Sequence, residues 1–204
     1  MPQEEENEVF IEKGTQSLEN TLRPGLQALL KTDFVKEAFS SMDLAIRINS
    51  VLGAGEAIDH LNETYLLLIS GSLKEASLIT EKLLKRRKAH KKKVEEMMEE
   101  IEERLAKKTT SFIFEGNSWP VFLLGTAASK LCQKYDKPTF IFKRGKERVT
   151  GSARLPKGFD GVKVLKSCSK FLITYGGHPL AAGFSLKEEN SKDFKNCLEK
   201  YYSK

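Results

Sequence analysis

The sequence predicts an α/β protein with a small helical N-terminal segment, a long connector helix, and then an α/β domain with one mixed sheet flanked by helices. Three observations predict it. Leucines recur at helical spacing in the first segment, which Pro and Gly punctuate. From Ser72 to about Lys108 neither Gly nor Pro occurs and helix formers dominate. Beyond that stretch, short β-branched and aromatic runs alternate with helical periodicity, the pattern of a compact sheet with covering helices. The boundaries that follow are 1–71, 72–108 and 109–204.

In the first segment, Asn7 to Leu30 reads as a short strand followed by a helix, broken at Arg23-Pro24-Gly25, where Pro24 suits a first helical turn. Leu26, Leu29, Leu30 and Phe34 recur at helical spacing, and a loop follows around Ser40-Ser41. Gly53-Ala54-Gly55 marks a turn where backbone bends or approaches something closely. Glu56 to Ile69 reads as a helix, ended by Ser70-Gly71-Ser72.

Ser72 is a good N-cap for the connector, and Glu75 three residues later completes a capping box. Ala76, Ile79 and Leu83 form one apolar stripe, and Val94, Met97, Met98, Ile101 and Leu105 another. Between them, Lys85 to Lys93 carries seven lysines and arginines with almost nothing to bury. Each end of such a helix packs on something while its middle is solvated or faces a charged partner. The heptad does not run through, which argues against a coiled coil.

After the helix, strands are expected at Ser111–Phe114, Thr139–Phe142, Arg148–Leu155 and Ala182–Leu186. Helices are expected over Leu123–Tyr135, Val162–Ile173 and Lys192–Tyr202. Charge separates the halves. Residues 1–106 hold 15 Lys/Arg against 20 Asp/Glu, whereas residues 107–204 hold 19 against 8. That excess is the footprint of a polyanion binder, with solubility alone as the plain alternative.

No segment approaches the roughly 20 uninterrupted apolar residues needed to cross a bilayer. The acidic N-terminus, Met1-Pro2-Gln3-Glu4-Glu5-Glu6, does not fit a secretory signal. Cys132, Cys168 and Cys197 are an odd number at wide spacing with no metal-ligand pattern. A reduced, cytoplasmic setting is expected.

The sharpest local feature is Tyr175-Gly176-Gly177-His178-Pro179-Leu180-Ala181-Ala182-Gly183. Two glycines after a helix permit positive φ and leave N–H groups uncovered, so they are expected to form a concave anion nest with His178 on its rim. A glycine C-cap followed by a tight turn is the plain alternative.

This string resembles the glycine-glycine-histidine signature of the DHH-associated domain of DHH-family phosphoesterases. Gly151-Ser152-Ala153-Arg154 resembles that domain's arginine-bearing strand, followed by the family's Gly158-Phe159-Asp160 turn. Trp119, Leu124-Gly125 and Ala128-Ser129-Lys130-Leu131 resemble the opening helix in the RecJ branch of the family. Upstream, Arg23-Pro24-Gly25-Leu26 and Arg47-Ile48-Asn49 resemble segments between the RecJ catalytic domain and its connector. The likeness covers essentially the whole chain in order. The chain departs from the family pattern at Gly53, where a second arginine is usual, and at Pro120 and Phe122, where a histidine and a glycine commonly follow the tryptophan.

The resemblance implies the C-terminal, substrate-binding portion of a 5′–3′ single-stranded DNA exonuclease that is not catalytic alone. Residues 1–71 would be the edge of a DHH catalytic domain supplied in cis or as a separate chain, whether the chain is a truncation or half of a split enzyme. Relatives use Mn2+ or Mg2+, and those ions are expected in the missing catalytic domain, with no cofactor in this chain. The one adjacent Asp-His pair, Asp59-His60, is expected on a helix and not as a metal site. The expected partners are single-stranded DNA or RNA, with a single-strand-binding protein as a further partner and no membrane.

Arg154 is implied as a phosphate contact, with a structural salt bridge to Asp160 as its plain alternative. His178 with the Gly176 and Gly177 amides is implied for the phosphate nearest the cut. Ser129 and Lys130, placed at a helix's start or first turns, and Ser152 serve the same backbone, while Arg47 and Asn49 line the cleft facing the missing domain. The alternatives are part of a nano-RNase, cyclic-dinucleotide phosphodiesterase or exopolyphosphatase, a non-catalytic replication or repair interaction module docking through the basic helix, and a domain like the C-terminal region of alanyl-tRNA synthetase. The long helix and the upstream segments favour the RecJ branch.

Overall fold

A computed structural model describes residues 5–58, 61–106 and 110–203. It divides into two compact units, residues 1–91 and 92–204, and the boundary falls inside the long helix.

The first unit is helical. Helix α1 (Glu5–Glu19) is followed by α2 (Pro24–Leu30), α3 (Asp33–Lys36) and α4 (Ser41–Leu52). A small antiparallel hairpin, β1 (Ala57–Ile58) and β2 (Leu61–Asn62), leads into α5 (Glu63–Ile69). The strand expected from Asn7 is therefore helix. The run Val9-Phe10-Ile11 is too short for its period to separate strand from helix. Glu56 to Ile69 begins as the hairpin and only then becomes helical, so the helix expected there is shorter. Asp59-His60 lies outside the described residues.

Pro24 stands in the first turn of α2, as its fixed φ favours. At Gly25 an added Cβ would come 2.0 Å from the carbonyl oxygen of Leu67, so only glycine lets α2 lie against α5. The core gathers Leu29, Val35, Val51, Leu67, Ala76 and Leu83.

Helix α6 runs Leu73–Leu105. Ser72 Oγ accepts from the Glu75 amide at 3.5 Å, one half of the expected capping box. The Glu75 carboxylate turns instead to the Ser70 hydroxyl at 3.1 Å. The basic stretch is not uniformly solvated. Lys85, Lys88, Lys91, Lys92 and Lys93 are exposed, but Arg86 and Arg87 are half-buried. Arg86 pairs with Glu63 and donates to the carbonyl of Ala54 at 3.1 Å. Arg87 lies 3.6 Å over the Phe34 ring and donates to Ser50 Oγ at 2.9 Å. Burial pushes the Arg87 guanidinium pKa down, and nearby Arg47 adds to the shift.

In the second unit, β3 (Ile113–Asn117), α7 (Val121–Tyr135) and β4 (Thr139–Lys143) form a parallel crossover. Strand β5 (Arg148–Arg154), α8 (Gly161–Ser167), β6 (Leu172–His178), β7 (Ala181–Lys187) and α9 (Ser191–Tyr202) complete it. The sheet is mixed, in the order β3-β4-β5-β7-β6. Asp136 in the left-handed region ends α7, and Asp160 caps α8 by accepting from the Lys163 amide at 3.0 Å. Gly158, at φ +93°, makes the expected Gly-Phe-Asp turn.

Alternation along β5 sends Val149 and Ala153 into a core with Phe140, Phe142, Phe184 and Phe194. On the opposite sheet face Ile141 packs with Leu124, Ala128 and Leu131 of α7 and with Val94, Met97 and Ile101 of α6.

Two expectations are corrected here. The helix expected over Val162–Ile173 stops at Ser167, and Leu172 onward is β6, so the sheet has five strands where four are predicted. Cys168 and Cys197 are joined in a disulfide, against the expectation of reduced thiols. The bond links the end of α8 to α9 across 29 positions of sequence, a spacing that carries no signal by itself. Cys132 is free and buried, and burial pushes its thiol pKa up. No helix among the described residues is long and apolar enough to cross a membrane.

Candidate nucleic-acid interface

The register of the sheet places four of the predicted site residues, Arg154, Ser152, Gly176 and His178, on one face. Thr139, Arg154, Ala181 and His178 are successive partners across β4, β5, β7 and β6. Ile141, Ser152, Gly183 and Gly176 are the next such row. Side chains of paired residues share a face, so this is the face that α7 covers at Ile141. Past β5 the cover ends, and Gly183, Gly176 and His178 are exposed.

Arg154 stands at that margin. Its Nε donates to Ser129 Oγ at 3.1 Å, and its Nη1 donates to Ser152 Oγ at 2.8 Å and to the carbonyl of Ala153 at 2.9 Å. On α7, Gly125 lies one turn before Ser129, and an added Cβ there would come 2.8 Å from Arg154 Nη2. Burial pushes the guanidinium pKa down. Among the described residues no carboxylate lies within ion-pair distance of Arg154. Asp160, the partner considered from sequence, faces Lys163 at 3.7 Å instead. A half-buried cation held by hydroxyls and a carbonyl, which do not neutralise it, is set up for an anion from outside.

The glycine-histidine motif has a geometry different from the expected nest. Gly176, Gly177 and His178 are the end of β6, joined to β7 through Pro179-Leu180. In an extended strand successive N–H groups point to opposite sides, so these two amides do not converge on one anion. Gly177, at φ +138°, sits so close to β7 that a Cβ would lie 2.5 Å from the Ala181 carbonyl oxygen. At Gly176 a Cβ would meet open space. Gly177 thus serves the hairpin, and Gly176 leaves the open face bare. The His178 ring has no partner among the described residues.

Lys130 is exposed beside Ser129. Both lie in the second half of α7, whereas the sequence reading places them at a helix's start or first turns. Trp119 is structural, with its indole N–H donating to Glu100 at 2.9 Å. Arg47 and Asn49 belong to the first unit. Arg47 donates from Nε to Asp43 at 2.8 Å and from Nη1 to the carbonyl of Phe34 at 2.7 Å. Asn49 is exposed.

Sequence reasoning missed Gly125 as the floor under Arg154, although Gly125 and Ser129 are spaced for one helix face. It also missed the Arg87–Phe34 contact, which had no local signal. Among the described residues no three His, Cys, Asp or Glu side chains converge as a metal site.

The mixed sheet with an arginine-bearing strand beside a glycine-histidine hairpin defines a class. Residues 111–204 match the DHHA1 domain family. Over nearly its whole length the chain is RecJ-like. It is 28% identical over 208 residues to the single-stranded-DNA-specific exonuclease RecJ of Bacillus subtilis, covering 97% of this chain and 26% of that protein. The protein of the same name from Haemophilus influenzae is 26% identical over 178 residues, covering 79% of this chain and 30% of its own length. The crystal structure of RecJ from Thermus thermophilus in complex with Mn2+ shares the fold, with a TM-score of 0.82 at 22% identity, over 97% of this chain and 30% of that one. The chain therefore spans less than a third of the relatives it matches here.

Proposed function

We propose that this chain is the substrate-binding C-terminal portion of a cytoplasmic RecJ-like 5′–3′ single-stranded DNA exonuclease, gripping the sugar–phosphate backbone and not cutting it unaided. The observation that carries the reading is Arg154, a desolvated cation with no carboxylate partner at the margin of a bare sheet face. Arg154 and Ser152 take the phosphate, Ser129 aims the guanidinium, and His178 donates to the same strand from β6. Lys130 adds long-range attraction. Gly176 keeps the face low enough for a backbone to approach.

The Asp-His-His-type ligand motifs of the relatives do not occur in the sequence. The residues present therefore do not fit the Mn2+ or Mg2+ pair, and hydrolysis is assigned to a catalytic DHH domain in cis or on another chain. Arg47 and Asn49 would face that domain, and a single-strand-binding protein is a further partner.

Fluorescence anisotropy of the 204-residue chain with a labelled single strand tests the grip. Binding should be independent of sequence and weaken steeply with salt. Replacing both Arg154 and His178 by Ala should weaken it about ten- to a hundredfold, as loss of charge-assisted hydrogen bonds does. A double variant that binds as well as wild type refutes the assignment, and Mn2+-dependent release of nucleotides by the purified chain refutes the missing cut. RNA of the same sequence, as competitor, reads the preference between the two nucleic acids.

A further inference from the structure

We propose that the same sheet face carries a second phosphate site at Arg148, so that the strand lies along the sheet and does not end at Arg154. This rests on the nucleic-acid reading above. Arg148 and Arg154 open and close β5, and an even separation along a strand puts both side chains on one face. Six residues at about 3.3 Å each set their Cα atoms roughly 20 Å apart. That is about six stacked nucleotides at 3.4 Å per step, and fewer when the strand is extended.

Hydroxyls contact both arginines, Arg154 half-buried and Arg148 exposed. Arg154 is aimed by Ser129 and Ser152, while Arg148 donates from Nη2 to Ser185 Oγ at 2.9 Å. Ser185 in turn shares a hydrogen bond of 2.7 Å with Thr174 on β6. Hydroxyls thus fix the guanidinium and leave its charge unspent. Of the three acidic side chains nearby, Glu188 pairs with Arg144 at 2.6 Å and Glu189 with Lys187 at 3.4 Å, while Glu147 is exposed. Among the described residues no carboxylate lies within ion-pair distance of Arg148. A cavity of about 610 Å³ opens there, with Lys146, Lys187 and Ile173 on its wall together with Glu147, Glu188 and Glu189.

Between the two arginines the face carries only small groups. Thr150 and Ser152 on β5 lie across from Ser185 and Gly183 on β7, and Gly183 lies across from Gly176 on β6. Nothing bulky interrupts the path. A chain of phosphates fits its spacing and charge, and the exposed edge strand leaves room for the bases to turn outward.

The test uses Arg148→Ala and Arg154→Ala in the full chain, with 3-nucleotide and 12-nucleotide single strands bearing a fluorophore. Arg148→Ala should weaken the 12-mer about three- to tenfold and leave the 3-mer unchanged. It should also reduce the slope of log K against log salt by about 0.7, the value for one phosphate on a single strand. Arg154→Ala should weaken both oligonucleotides, Arg148→Lys should restore most of the 12-mer affinity, and Ser185→Ala should show part of the Arg148→Ala loss. If Arg148→Ala binds the 12-mer like wild type while Arg154→Ala is impaired, the second site is wrong and the first stands. If the wild-type chain binds neither strand, or neither substitution matters, both readings fall.

Discussion

Arg154 on β5 donates from Nε to the hydroxyl of Ser129 on α7 at 3.1 Å, so the cation of the sheet face is aimed by the helix that covers the neighbouring strands. Gly125, one turn earlier on α7, leaves the space in which Nη2 lies. On the proposed reading, binding and helix stability are therefore opposed at that position.

Gly125→Ala should separate them. Alanine is the better helix former by about 0.8–1 kcal/mol. Its methyl would meet only the end of a flexible side chain, so thermal stability should hold or rise. The guanidinium would be displaced, however, and affinity for a single strand should fall several-fold. Ser129→Ala should lower affinity while stability changes little. Melting curves and anisotropy on the same preparations read both quantities, and a Gly125→Ala protein that binds normally contradicts the placement of Arg154.

The two motif glycines should differ sharply. Gly177→Ala puts a methyl against the Ala181 carbonyl oxygen in a backbone region that costs other residues about 1–3 kcal/mol. A drop in melting temperature of roughly 2–12 °C is expected for a chain of this size. Gly176→Ala meets nothing and should melt within about 2 °C of wild type, yet its methyl stands on the proposed path of the strand and should weaken binding. Equal destabilisation by both would contradict the hairpin geometry.

Much of the second unit was legible because its strands are short and end at marked turns. Thr139 to Phe142 and the Arg148 strand lie where the pattern places them, and the Gly158-Phe159-Asp160 turn lies where the family resemblance places it. Strand β6 was not legible, because Leu172-Ile173 continues the apolar spacing of α8 and the break at Cys168-Ser169 contains neither Gly nor Pro. That single misplacement turned a hairpin into an expected nest. Arg154 could be picked out by its motif, but its lack of a carboxylate partner is a three-dimensional fact. The Cys168–Cys197 bond and the stacking of Arg87 on Phe34 likewise depend on approaches between segments remote in sequence. In α6 the lysine run concealed two half-buried arginines that are tied to Glu63, Ser50 and Phe34 of the first unit.

Glu63 makes the first unit sensitive to acid. It is only 4% exposed, and the hydrogen bond from Arg86 holds its carboxyl below the ordinary value, with burial opposing. A depressed folded-state pKa means the stabilisation is complete above the unfolded value, in practice above about pH 5. It is lost as the pH falls through the lower folded value. Glu63→Gln should cost about 1–3 kcal/mol at pH 7 and flatten this acid limb. Denaturant melts at several pH values measure it, and a variant whose deficit does not shrink between pH 7 and pH 3 would show that the pair does not drive the pH dependence.

The hydroxyl of Tyr202 offers a stabilising change. Its ring packs 5.4 Å from that of Phe112, while the oxygen is buried with no hydrogen-bond partner among the described residues. Burial also pushes its pKa far up. A buried polar atom without a partner costs about 1–3 kcal/mol relative to its hydrated state. Tyr202→Phe removes that atom and keeps the ring, so the melting temperature should rise by about 2–4 °C for each kcal/mol recovered. Binding should be untouched, because α9 packs on the sheet face opposite Arg154. A fall in melting temperature would mean that the hydroxyl has a partner, such as an ordered water, which the phenylalanine leaves stranded.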